Sequence, residues 1–155
     1  MRTRAITDKE LKALRQALPW RDGLAMQIMR DTGLRVSDML ELRVSDLSKP
    51  TIRVVEEKTG KTRVVHLRPA TRRELLKYVQ GRSPTDHIIR CNRSTLYRSI
   101  HSTALKLGME RISAHSARKA YAKAFARKHG LRAAQEELKH DYISTTLIYV
   151  HDIPP

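Results

Sequence analysis

TIRVVEEKTGKTRVVHL, residues 51–67, is the stretch on which the fold turns. The segments Thr51 to Glu56 and Thr62 to Leu67 are rich in β-branched residues, whose crowded Cβ favours the extended backbone. Between them EKTGK reads as a hairpin turn, with Gly60 at the position of strained backbone and Lys58 at the lip. Everywhere else apolar residues recur at helical spacing. The expected fold is therefore mainly α with a small β-hairpin or antiparallel sheet, an α+β domain.

Upstream of the hairpin, Thr7 or Asp8 can cap a helix whose inward positions are Leu11, Leu14 and Leu18, and Pro19 stops it. A second helix is expected from about Asp22 to Thr32, with Leu24, Ile28 and Met29 inward and Gly33 supplying the left-handed exit. Ser37 then caps a short helix through Met39, Leu40 and Leu42, so Arg35 falls in a tight helix-to-helix connection with a fixed backbone. Downstream, Pro69 opens a helix through Leu75, Leu76 and Val79. Another, from about Ser94 to Leu107, buries Leu96, Ile100, Ala104 and Leu107. Ser113 caps a long helix ending at Gly130, a further helix covers Ala133 to Lys139, and Ser144 starts a last one. No repeat, low-complexity tract or long linker divides the chain, so residues 1–155 are expected to share one core.

The balance of charge narrows the partner. With 31 Lys+Arg against 16 Asp+Glu the net charge is +15 and the isoelectric point is near 10.5, which favours a polyanion such as nucleic acid. Charge alone leaves a ribosomal or RNA-coating protein equally open, because it carries no information about reaction. The lone Cys91 excludes an internal disulfide and gives no metal-ligand cluster, and it is expected to be inert. No apolar run approaches the roughly 20 residues that span a bilayer, and MRTRAITDKELKAL lacks the apolar stretch of a secretory signal. The expectation is a protein without metal, cofactor or membrane partner, in the cytoplasm and associated with the nucleoid.

Tyr149 stands nine residues after His140 in LKHDYISTTLIYVH. His115 and Arg118 are three apart in the Ser113 helix, which puts both on one face and within reach of one phosphate. Each has a plainer reading by itself: a core aromatic among Leu147, Ile148 and Val150 for Tyr149, a solvated helix face for the His-x-x-Arg pair, a surface charge for Arg35. His66, His87, His101, His129 and His151 have no supporting motif.

Taken in order, TGLRVSDMLELRVSDL, the EKTGKTRVVHL hairpin, HSAR and LKHDYISTTLIYVH resemble the catalytic domain of the tyrosine recombinases, the phage integrase family. The resemblance runs from about residue 7 to residue 151. The family's T-G-L-R-x-S-E-x-L-x-L-R pattern falls on Arg35, and its hairpin lysine on Lys58, with Lys61 as the other claimant. Its H-x-L-R-H motif falls on His115 and Arg118, and its L-G-H-x-x-x-x-T-T-x-x-Y motif on His140 and Tyr149. Lys119 stands where the family usually has His, and Lys139 where it has Gly. The family's N-terminal DNA-clamping domain is expected to be absent, and only six residues follow Tyr149.

The resemblance implies a site-specific recombinase acting on double-stranded DNA, with other protomers in a synaptic complex, through a 3′-phosphotyrosyl intermediate. A tyrosine hydroxyl, with a reference pKa of about 10, needs cations to take up charge and a group to take its proton. Arg35 and Arg118 would hold the non-bridging oxygens, His115 would accept the proton, His140 would donate to the phosphate, and Lys58 would protonate the leaving 5′ oxygen. Strand relaxation of the type IB topoisomerase kind, or a DNA-binding regulator that has lost cleavage, are the alternatives.

Overall fold

The computed structural model describes residues 2–138. His140, Tyr149 and the helix expected from Ser144 lie outside the described residues. α1 (Asp8–Ala17) starts as expected at Thr7, which closes a capping box: its Oγ1 accepts the Glu10 N–H at 3.1 Å and Glu10 Oε1 accepts the Thr7 N–H at 3.0 Å. The Arg4 guanidinium against Glu10 holds that carboxyl down to about 2.

α2 (Trp20–Thr32) begins earlier than the expected Asp22. Pro19 does not merely stop α1. Its fixed φ and extended ψ make it the N-cap of α2, and its carbonyl accepts the Gly23 N–H at 3.0 Å. The helix is apolar nearly all round, with Leu24, Ala25, Met26, Ile28 and Met29 fully buried, and such a helix belongs at the centre. α1, α4 (Pro69–Tyr78), α5 (Arg93–Lys106) and α6 (His115–His129) all pack on it. Each buried Leu, Ile or Met contributes about 1.5–3 kcal/mol, so this shared core fixes the frame from which the polar residues project.

Short elements join the frame. α3 (Val36–Leu40) is capped at Arg35, whose carbonyl accepts the Met39 N–H at 2.9 Å; Ser37 lies inside the helix and does not cap it. A 3₁₀ turn follows at Val44–Ser48, which the sequence did not announce. β1 (Thr51–Val55) and β2 (Thr62–His66) pair antiparallel with Thr51 opposite His66 and Val55 opposite Thr62, giving the expected mainly helical fold with one two-stranded sheet. Gly60 has φ +68°, the left-handed value expected of it.

Further helix ends differ from expectation: α3 stops at Leu40, short of Leu42, and α4 at Tyr78, short of Val79. α5 starts at Arg93 because Asn92 Oδ1 accepts the Thr95 N–H at 2.8 Å, and Leu107, expected to be buried, is 43% exposed because the helix has ended before it. Ala114 takes the cap position of α6, although Ser113 Oγ still accepts the His115 N–H at 3.3 Å. α7 (Leu131–Glu137) starts directly after Gly130, two residues ahead of the expected Ala133.

Candidate active site

Gly33 is the hinge of the site. At φ +71° it ends α2, and a Cβ there would sit 2.3 Å from Tyr121 Cδ1 of α6, so only glycine lets the two helices approach this closely. That approach brings the α2–α3 connection, with Arg35, against the start of α6, with His115. From the other side, the hairpin is tied to α3 by the buried Asp38, whose Oδ1 accepts the Glu57 N–H at 3.1 Å.

The result is a cleft of about 550 Å³ lined by Arg35, Ser37, Lys58, Arg93, Tyr97 and His115, with Glu57 as the acidic residue on its wall. Of the two hairpin lysines, Lys58 lines it and Lys61 does not. Arg118 is not part of the lining; it is fully buried, and one Nη donates to the Leu138 carbonyl at 3.3 Å. Three of the six candidate residues, Arg35, Lys58 and His115, thus line one cleft, Arg118 is buried close enough to His115 to act on its charge, and His140 and Tyr149 lie outside the described residues.

The electrostatics of the cleft are set by crowding of cations. Burial first, then Arg118, Lys119, Arg35 and Arg93, push His115 down to about 4. Both causes disfavour a charged imidazole, so His115 is neutral at neutral pH and able to accept a proton. Lys119, at the family's histidine position, is itself buried and turned away: its Nζ donates to the Thr3 carbonyl, where residues 2–6 run along the start of α6. Arg4 and Ile6 N–H groups bond there to the carbonyls of Arg111 (2.9 Å) and Ser116 (3.3 Å).

Sequence reasoning missed Glu56, Arg93 and Tyr97. Glu56 carried a signal: strand alternation through Ile52 and Val54 puts it on the inner face, where a carboxylate needs a cation. Arg93 and Tyr97 are one helical turn apart with the guanidinium 5.5 Å from the ring centroid, a pair visible as i, i+4 spacing but not as part of the cleft. Chemically, the arrangement can hold an anion, withdraw a proton from a nearby hydroxyl through His115, and return one through Lys58. Among the described residues no group of three or more His, Cys, Asp or Glu side chains could hold a metal ion, and no helix is long and apolar enough to cross a membrane.

The model of the phage integrase family matches residues 4–154. The tyrosine recombinase XerA of Saccharolobus solfataricus is 32% identical over 144 residues, covering 90% of this chain and 49% of the relative. The tyrosine recombinase XerD of Chlamydia pneumoniae is 33% identical over 149 residues, covering 86% and 49%. The chain spans about half the length of the curated relatives it matches. Among solved structures, XerA recombinase superposes with a TM-score of 0.77 at 26% identity, covering 97% of this chain and 59% of that one. The catalytic core of lambda integrase superposes at 0.72 and 22% identity, covering 90% and 92%, which speaks for the fold. A match running from residue 4 to residue 154, over a fold that places the motif cations around one cleft, makes this chain a member of the phage integrase family.

Proposed function

We propose that residues 1–155 act as the catalytic unit of a site-specific DNA recombinase that cuts and rejoins strands through a 3′-phosphotyrosyl bond. The observation that carries this reading is the convergence of Arg35, Lys58 and His115, from three separate stretches of sequence, on one cationic cleft. Double-stranded DNA is the substrate, and further protomers complete the synaptic complex. The protein works in the cytoplasm on the nucleoid. Solved structures that share the fold include a lambda integrase dimer bound to a core site and a tetramer bound to a Holliday junction, which supports both partners.

In this reaction the Tyr149 oxygen attacks the scissile phosphorus and its proton passes to neutral His115. Charge accumulating on the non-bridging oxygens is taken up by Arg35 and Arg118, with His140 donating to the same phosphate. The bond to the 5′ oxygen breaks, and that oxygen receives its proton from Lys58. The phosphotyrosyl bond conserves the energy of the phosphodiester, so a 5′ hydroxyl from another strand reverses the step without a nucleotide cofactor.

The test is a suicide duplex whose cleaved end diffuses away. The expected product is a protein–DNA adduct that survives denaturation, maps to Tyr149 and disappears in Tyr149→Phe. Adduct at another residue, or none, overturns the proposal. A covalent adduct with supercoil relaxation but no strand exchange between duplexes would place the chain with the topoisomerase-like alternative instead.

A further inference from the structure

Glu56 is fully buried at the end of β1, and its Oε2 lies 2.6 Å from an Nη of Arg35. Its Oε1 finds no hydrogen-bond partner among the described residues, so the bond to Arg35 is what compensates this carboxylate. Isolated buried carboxylates are costly, and a pair with a guanidinium is retained where the geometry is fixed. Arg35 is 18% exposed and lines the cleft. A guanidinium has five donors in a rigid planar fork, so anchoring one Nη fixes the direction of the remaining edge.

Glu56 is also the root of the lysine loop. Its N–H donates to the Lys61 carbonyl at 2.9 Å, and its carbonyl accepts the Gly60 N–H at 2.8 Å. The acceptor that orients Arg35 is thus mounted on the backbone that presents Lys58, and the two cations share one rigid reference. Resting on the functional reading above, we propose that Glu56 is a positioning residue for strand cleavage: its carboxylate aims Arg35 at the scissile phosphate. It touches no reacting atom and acts through Arg35 alone.

The experiment is a cycle of adduct-formation rates on the suicide duplex, using the full chain with Glu56→Ala, Glu56→Gln, Arg35→Ala and the doubles. Misaiming a phosphate-holding group should slow Glu56→Ala by about a hundredfold. DNA affinity, read in a Tyr149→Phe background, should stay within about threefold because it is spread over many phosphate contacts. Glu56→Gln keeps an acceptor oxygen and should lose less, about tenfold. In the Arg35→Ala background either change should cost no more than about twofold further, since nothing remains to aim. Replacing the scissile 5′ oxygen by sulfur should rescue neither Glu56 variant, because the Lys58 step is not what they impair. Should Glu56→Ala fail to fold, Glu56→Gln carries the same cycle. Unaltered rates in both variants, or losses that multiply with that of Arg35→Ala, overturn the inference. Absence of adduct from the unsubstituted chain would overturn the functional reading and this inference with it; normal adduct from both variants overturns this inference alone.

Discussion

Two clefts of similar size lie on this domain and differ in how their charges are spent. One, of about 510 Å³ beside α1 and α4, is lined by Arg15, Trp20, Arg68 and Glu74, and also by Asp8 and Lys12, Lys12 making no ion pair among the described residues. There Arg15 pairs with Glu74 at 2.6 Å, Arg68 with Asp31 at 2.8 Å, and the Trp20 indole N–H also donates to Glu74 at 2.8 Å. The other, of about 550 Å³ between the α2–α3 connection, the hairpin and α6, holds Arg35, Lys58, Arg93 and His115. There Arg35 has a carboxylate partner, Glu56, while Lys58 and Arg93 make no ion pair among the described residues. Cations already matched by carboxylates attract a phosphate little, whereas unmatched ones in a concave wall focus their field. Volume does not distinguish the two clefts; the two arginines of the first are held by carboxylates, whereas Lys58 and Arg93 of the second make no ion pair among the described residues, which is the contrast the proposed function predicts for a phosphate site.

The largest effects should separate the clefts by rate. Arg35→Ala or Arg118→Ala should slow adduct formation by about 10²- to 10³-fold, the loss typical of a donor to developing charge, while Arg15→Ala stays within about twofold. Equal losses on both sides would erase the distinction. Next in size is the role of the hairpin cation. A 5′-sulfur leaving group needs no proton, so on that substrate Lys58→Ala should regain most of its rate and Arg118→Ala should stay slow. Rescue of Lys61→Ala in place of Lys58→Ala would move the general acid three residues along the loop.

Smaller effects test the electrostatics. Lys58→Ala and Arg93→Ala should each lower the slope of log affinity against log salt by about 1, and Arg15→Ala should leave it unchanged. In the DNA-free protein the His115 imidazole should titrate near about 4 by nuclear magnetic resonance, and higher in Arg93→Ala, because Arg93 is among the cations holding it down. The sign for stability follows from linkage. Between the ordinary value of 6.5 and about 4 the unfolded chain binds a proton at this histidine and the folded one does not. Its contribution is therefore lost as pH falls through that window and is flat above it. His115→Asn should remove that part of the acid slope in a melting series.

What the sequence disclosed follows the same divide between local and tertiary causes. The hairpin was legible because β-branched runs flank a Gly-containing turn, and Gly33 was legible as a helix exit because its conformation is a local demand. Arg35, Lys58 and His115 were legible through motif order, and the cleft brings those three together. The cap at Pro19 was hidden because proline both ends one helix and opens the next, and local signals favoured the first role. Glu56 was overlooked although alternation with Ile52 and Val54 points it inward; what no local pattern discloses is its partner, Arg35, across the fold. The burial of Arg118 and the turn of Lys119 toward Thr3 are equally tertiary: both depend on what packs over the start of α6.

The most direct test of the charge-pairing account uses two unique reporters in one titration of the Tyr149→Phe chain with a short duplex carrying a cleavable site. The single tryptophan, Trp20, reports the Arg15–Glu74 cleft through its indole N–H, and His115 reports the Arg35–Lys58 cleft through its ring protons. As DNA is added, the His115 signals should shift and its midpoint should climb above about 4, because an arriving phosphate offsets the cations around it, while the Trp20 signal stays in place. A Trp20 shift with His115 unmoved would contradict the account.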